Sequence, residues 1–182
     1  MTFEKTVTLK DGRNCLLRNG VTSDGKAVLD VFNRTHEETD YLLTYSDENR
    51  FTASQEADFL QRKTDSANNV EIIAVVDDVV AGTAGIDALG MRDKIKHRAV
   101  FGIAITKEFW GLGIGKYLME ACIECAREAG YLQLELEVVA ENERAVEMYR
   151  RAGFIEYGRN PKAFRLRTGE YQELIDMRLE LK

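Results

Sequence analysis

Apolar residues recur along this chain at two spacings, and the switches between them mark out its elements. Val7 to Arg18 reads as extended, broken by the Asp11-Gly12 turn signal. Thr22 to about Thr39 predicts a helix opened by a Ser23/Asp24 cap, with Val28, Leu29 and Phe32 on one face. Thr52 to Ala67 predicts a second helix, with Ala57, Phe59 and Leu60 as its apolar side. The period then shortens to two. Glu71 to Val76 and Val79 to Leu89 form a hairpin around Asp77-Asp78, and His97 to Thr106 is a strand apolar on both faces near its end, as a central strand should be.

Helical spacing returns over Lys116 to Ala129, where Ile114, Leu118, Ala121, Cys122, Cys125 and Ala129 make the stripe. Gly130 ends that helix. Leu132 to Val138 alternates strictly and is a strand. Asn142 to Arg151 is a helix stopped by Gly153; Phe154 to Tyr157 and Tyr171 to Leu181 return to strands around Thr168-Gly169. A meander followed by strand-helix-strand implies an α/β fold on a mixed sheet. Its parallel pair, residues 97–106 and 132–138, is joined by a crossover helix.

Length and composition narrow the class. A chain of 182 residues with 45% hydrophobic content is expected to form one domain and to bury its core without a disulfide or metal staple. No linker or repeat interrupts it. Three cysteines argue against a disulfide framework, and Cys122 and Cys125, although spaced C-x-x-C, lie inside a helical stripe and read as core packing. His36 and His97 stand too far apart to suggest zinc, so no metal is expected. MTFEKTVTLK has no signal-peptide core and no apolar run approaches roughly 18 residues, which predicts a cytoplasmic protein with no membrane partner. A net charge of −6 argues against nucleic acid and suits a cationic partner such as an amine.

The densest chemical signal is Trp110-Gly-Leu-Gly-Ile-Gly-Lys116, between a buried strand and a helix. A helix start offers unpaired N–H groups and partial positive charge, and glycines let a ligand approach that backbone closely. Neither familiar phosphate motif fits. A Walker A loop needs glycine at 110 and Ser or Thr at 117, where Trp and Tyr stand; the dinucleotide fingerprint needs glycine at 116, where Lys stands. A tight turn packed on the sheet is the alternative.

With those residues in view, the chain resembles the GCN5-related N-acetyltransferase (GNAT) superfamily. Trp110 to Gly115 occupies the place of that family's [RQ]-x-x-G-x-[GA] pyrophosphate loop, with Trp110 departing from the usual Arg or Gln. Asn142, Ala145, Tyr149, Gly153 and Phe154 match the N-x-x-A-x-x-x-Y-x-x-x-G-F signature in register. The resemblance is strongest over residues 97 to 158. It implies a single N-acetyltransferase domain over 1–182, on a mostly antiparallel twisted sheet with helices on both faces and a central parallel pair.

By the same resemblance, acetyl-CoA is the co-substrate. Gly111, Leu112, Gly113, Ile114, Gly115 and Lys116 would cradle its diphosphate, with Asn142 nearby, while main-chain groups of Ile103, Ala104 and Ile105 would bond the pantetheine arm. Asn142 also fits a plain helix N-cap. The resemblance places the Tyr149 hydroxyl near the coenzyme sulfur, where a phenol protonated at neutral pH can donate to a departing thiolate; a core aromatic is the alternative. Glu137, twelve residues before Tyr149 in a Leu-Glu-Val unit like that of ribosomal-protein N-terminal acetyltransferases, is the candidate base. The alternating strand also allows it to be a plain polar-face residue.

The expected reaction is direct acetyl transfer to a primary amine, either a small molecule or a protein N-terminus. A non-catalytic acyl-CoA sensor on the same fold is the competing reading, and a homodimer is left open. The acidic, aromatic stretch Glu37, Glu38, Asp40, Tyr41, Asp47 and Glu48 is either a cation site or a solvated loop. Arg159, Lys162, Arg165 and Arg167 either meet coenzyme phosphates or alternate on an exposed strand.

Overall fold

The computed structural model describes residues 1–181. It contains strands β1 (Glu4–Thr8) and β2 (Asn14–Asn19), helices α1 (Gly25–Glu38) and α2 (Ala53–Asp65), then β3 (Val70–Val76), β4 (Val79–Ala88) and β5 (Arg98–Ile105). Helix α3 (Ile114–Glu128), β6 (Gln133–Val139), α4 (Glu143–Arg151), β7 (Ile155–Arg165) and β8 (Tyr171–Glu180) follow. One eight-stranded sheet runs β1-β2-β3-β4-β5-β6-β8-β7, antiparallel except for β5 and β6. The mixed sheet, its parallel pair and the crossover helix are as the hydrophobic pattern predicts.

Local chemistry explains most boundaries. Asp77 and Asp78 both take positive φ (49° and 64°), the left-handed pair a tight hairpin needs. Thr52 caps α2, its hydroxyl accepting from Gln55 N while the Gln55 side chain accepts from Thr52 N. Asp24 departs from the predicted capping role: its carboxylate binds Arg18 at 2.6 Å and accepts from Val21 N, after a short 3₁₀ turn over Thr22–Asp24.

The largest difference from the sequence pattern is β7, which continues from Ile155 through Pro161 to Arg165 instead of ending near Tyr157. Proline has no N–H for a ladder and is tolerated on an edge strand at irregularities. The β7–β8 pairing slips between Glu156 and Gly158 and again between Asn160 and Phe164.

Two cores flank the sheet. Helix α3 buries Ile114, Leu118, Cys122 and Cys125 against inward residues of β2 to β6 and β8, among them Ile72, Ala84, Phe101, Leu136 and Met177. The opposite face carries a smaller cluster of Val28, Leu60 and Ile73, which seats α1 and α2. Among the described residues no helix is long and apolar enough to cross a membrane.

Leu60 is wholly buried in that small cluster. Replacing it with Ala should cost ~2–5 kcal/mol of unfolding free energy, as for other large-to-small core changes. Urea denaturation followed by circular dichroism checks this; a cost under about 1 kcal/mol would show that the α1–α2 layer does not depend on Leu60.

Candidate active site

The parallel pair holds together for only three residue pairs, Arg98 with Gln133, Ala99 with Leu134 and Val100 with Glu135. Beyond them β5 and β6 part. Hydrogen bonds at both ends of β5, Leu89 N to Arg98 O and Thr106 N to Ala81 O, fall on even-numbered residues. Antiparallel alternation therefore spends the main-chain groups of Val100, Gly102 and Ala104 on β4 and turns those of Ile103 and Ile105 toward β6. On β6, Leu181 N to Leu132 O and Ala140 N to Glu173 O fix the same alternation against β8, so Glu137 and Val139 turn theirs toward β5. A wedge opens mid-sheet with main-chain donors and acceptors on both banks.

Trp110 acts on this wedge: its indole Nε1 donates to Ile105 O at 2.7 Å. Of the three β5 residues expected to meet an extended arm, among the described residues Ile103 thus keeps both groups free, Ile105 keeps its N–H, and Ala104 is engaged by β4.

At the wide end of the wedge, Gly111 and Gly113 adopt φ of +88° and +96°, conformations that disfavour a Cβ. They fold the chain back into α3 two residues earlier than the predicted start at Lys116. Among the described residues no backbone N–H from Gly111 through Lys116 has a protein acceptor. The tip of the β1–β2 hairpin braces this turn, with Lys10 N donating to Leu112 O at 3.2 Å and Tyr117 Oη donating to Thr8 O at 3.3 Å.

Cations surround the turn. The Lys10 side chain lies 4.0 Å from the position a Gly113 Cβ would take, and Arg144 Nη2 lies 4.0 Å from that of Gly111. Lys107 and Arg144 each lie 6.0 Å from the Trp110 ring centroid. Lys116 projects outward toward Glu120. Sequence reasoning passed over Lys10 and Arg144. Arg144 carried one signal, its place in the first turn of a helix opened by Asn142; Lys10 carried none, being a hundred residues away.

Tyr149 projects from α4 beneath the wedge, on the α3 side. It is 6% exposed and meets Phe101 edge-on, ring centroids 6.1 Å apart at 83°, with Phe154 at 5.8 Å. Burial pushes its phenol well above the ordinary range, so it keeps its proton throughout neutral pH. Asn142 caps α4, its Oδ1 accepting from Ala145 N at 3.3 Å.

Glu137 lies on the other face of the sheet, exposed and in register with Asp176 of β8. Its alternation partner Glu135 is consumed by structure: Arg98 grips both oxygens, Tyr157 Oη donates at 3.4 Å, and the Arg98 guanidinium holds the carboxyl below its usual range. Beside Glu137 the same face offers Val100, which is 40% exposed, and Gly102.

The charged stretches named from sequence meet each other. Arg167 binds Asp47 at 2.6 Å and stacks over Tyr45 at 4.0 Å. Arg159 is held by Glu156 and Glu173, while Lys162 and Arg165 lie over Tyr171. Asp40 and Leu42 to Tyr45 thereby enclose, with Ala163 to Leu166, a cavity of about 160 Å³. Cys15, Cys122 and Cys125 are free and buried, with the Cys125 thiol pushed up to about 12 by desolvation, so none is a nucleophile near neutral pH. Among the described residues no group of three His, Cys, Asp or Glu side chains could hold a metal.

Comparison with known proteins gives the family. The model of the acetyltransferase (GNAT) family matches residues 30–154. An L-amino acid N-acetyltransferase of Escherichia coli is 31% identical over 118 residues, covering 64% of this chain and 72% of that protein. A spermidine N(1)-acetyltransferase of Vibrio cholerae is 30% identical over 111 residues, 60% of this chain and 64% of that protein. A crystal structure of a GNAT acetyltransferase from Streptococcus pneumoniae superposes with a TM-score of 0.87 at 27% identity, over 91% of this chain and 99% of the other. The fold of a Salmonella typhimurium acetyltransferase solved with acetyl-CoA is shared at a TM-score of 0.82 and 16% identity, over 93% and 95%. The family match covers more than half of the chain, and the chain belongs to the GNAT acetyltransferase family, whose members use acetyl-CoA as co-substrate.

Proposed function

We propose that this acetyltransferase moves the acetyl group directly onto a primary amine, a small molecule or a protein N-terminus, as one domain. The observation that carries the reading is the wedge between β5 and β6, with free main-chain groups on its banks, Glu137 on one face and Tyr149 on the other. A pantetheine arm offers amide donors and acceptors that fit Ile103 and Ile105 N–H as an added strand would. The N–H row from Gly111 to Lys116, with Lys10 and Arg144 beside it, fits a diphosphate.

The coenzyme supplies a thioester; the residues arrange the rest. Glu137, or a water it orders, takes a proton from the entering ammonium, because only a free lone pair can attack a carbonyl carbon. Main-chain N–H groups of the wedge steady the oxyanion that forms. Tyr149 donates a hydrogen bond to the sulfur as the carbon–sulfur bond breaks; a phenol whose ionisation is so strongly opposed by burial serves as a fixed donor to the developing thiolate. Base and donor on opposite faces let the amine add to the carbonyl carbon from the Glu137 side and the thiolate leave on the Tyr149 side, the second nitrogen proton passing to the thiolate as the amide forms. The inert cysteines remove the obvious acyl carrier, which supports direct transfer.

The relatives are named for L-amino acids, spermidine and, in the N-alpha-acetyltransferase 30 of Schizosaccharomyces pombe, protein N-termini. A panel of L-amino acids, spermidine and short peptides, assayed by coenzyme A thiol release, tests the reading; tight acetyl-CoA binding with no turnover on any amine would favour an acyl-CoA sensor instead. Tyr149→Phe should lower kcat ~10²-fold, within the range for a lost acid-base group, with acetyl-CoA affinity near normal; an unchanged kcat would remove Tyr149 from the mechanism. Gly113→Val should weaken acetyl-CoA binding about tenfold or more through strain at positive φ, read by calorimetry.

A further inference from the structure

Glu71, Gly85 and Gly102 share one row across β3, β4 and β5, Glu71 pairing with Gly85 and Gly85 with Gly102. A Cβ on Gly85 would stand 2.1 Å from Glu71 Oε2. The Glu71 side chain therefore lies across β4, in the space a Gly85 side chain would fill, and runs toward β5. The next place in the row is open: nothing lies within 4 Å of where a Gly102 Cβ would stand. Strand spacing puts the Glu71 carboxylate ~4.8 Å from that opening. Glu137 is on the far bank of the same opening, since Gly102 and Glu137 each lie two residues beyond the last parallel pair, Val100 with Glu135.

Packing alone gives Glu71 little reason to be acidic. Lys63 of α2 is 5% exposed, but Asp87 Oδ2 at 2.5 Å and the Ile86 carbonyl at 3.3 Å already meet its ammonium, while Glu71 Oε2 stands off at 3.8 Å. Glu56 of α2 and Thr83 and Asp87 of β4 are the other polar groups facing Glu71. Burial pushes the Glu71 carboxyl up to about 7, with Lys63 and Thr83 pulling it down and Asp87 and Glu56 adding to the rise. An aliphatic residue would avoid that cost.

We propose that Glu71 is a second carboxylate of the acceptor site, which receives the acceptor's ammonium above Gly102 and presents it to Glu137. This rests on reading the cleft as an amine-acetylation site. It specifies an acceptor that arrives charged, an alkylammonium compound, in preference to an aryl amine that is neutral at the same pH. Glu71 binds; the proton leaves through Glu137.

Steady-state kinetics at saturating acetyl-CoA test it, with the fastest alkylamine of the panel and with aniline, from pH 6 to 9. Glu71→Gln should raise KM for the alkylamine about tenfold or more with kcat within about twofold, the pattern of lost ground-state binding. KM values for acetyl-CoA and aniline should not move. In the parent enzyme, protonation of Glu71 below about 7 should reduce kcat/KM for the alkylamine, and this fall should vanish in the variant. Glu71→Asp, which keeps a charge near Lys63 but withdraws it from Gly102, should show an intermediate KM.

Parent-like KM values in both variants, or a lower kcat at constant KM, would overturn the proposal. So would a Glu71→Gln protein that unfolds while Glu71→Asp matches the parent, which would make Glu71 a counter-ion of Lys63. A parent protein that binds acetyl-CoA but acetylates no amine would instead sink the underlying reading, and this one with it.

Discussion

The structure turns on hydrogen bonds that a sheet would ordinarily make and this one does not. A central strand is expected to satisfy its main chain on both edges, because buried donors and acceptors left alone cost more than a made bond returns. After Val100 and Glu135, β5 and β6 leave that pairing undone. The interruption is held open by neighbours that cannot close it. β5 is bonded to β4 along its length, β6 is bonded to β8, and the chain between them must cross over through α3. What remains is an extended slot that an amide-bearing ligand can complete.

Charge is sorted around that slot in a way the net value hides. The chain carries −6 overall, yet the glycine turn is ringed by Lys10, Lys107 and Arg144. The opposite face of the sheet, around the opening above Gly102, carries Glu71, Asp87, Glu137 and Asp176 in adjacent registers. On the proposed reading, an anionic co-substrate and a cationic acceptor would be drawn to different faces and meet at the wedge. Local potentials in a cleft, more than net charge, steer ligands.

Residues with similar sequence credentials take different roles because of what stands opposite them. Glu135 and Glu137 occupy equivalent positions on one alternating strand. Arg98 lies beside the first and neutralises it, whereas the wedge opens beside the second. Cys122 and Cys125 have a redox spacing, but both face the sheet from one helical stripe and are sealed there. Trp110, which departs from its family's usual residue, bonds the carbonyl of Ile105, five residues back.

The sequence by itself determined the strand and helix order, the parallel pair and the glycine turn before a helix, because these follow from hydrophobic period and from backbone freedom over a few residues. The Asn142-to-Phe154 pattern was legible as a family resemblance, and the place of Cys122 and Cys125 in a helical stripe followed from the same local period. Only the tertiary structure decided where β5 and β6 part, that β7 runs on through Pro161 at the sheet's edge, and that Lys10 and Arg144 reach the turn. It also decided that Glu71 lies across Gly85 beside an open floor. Each of these depends on a register or contact between segments far apart in the chain, and register is set by the packing of whole faces, which no stretch of residues encodes alone.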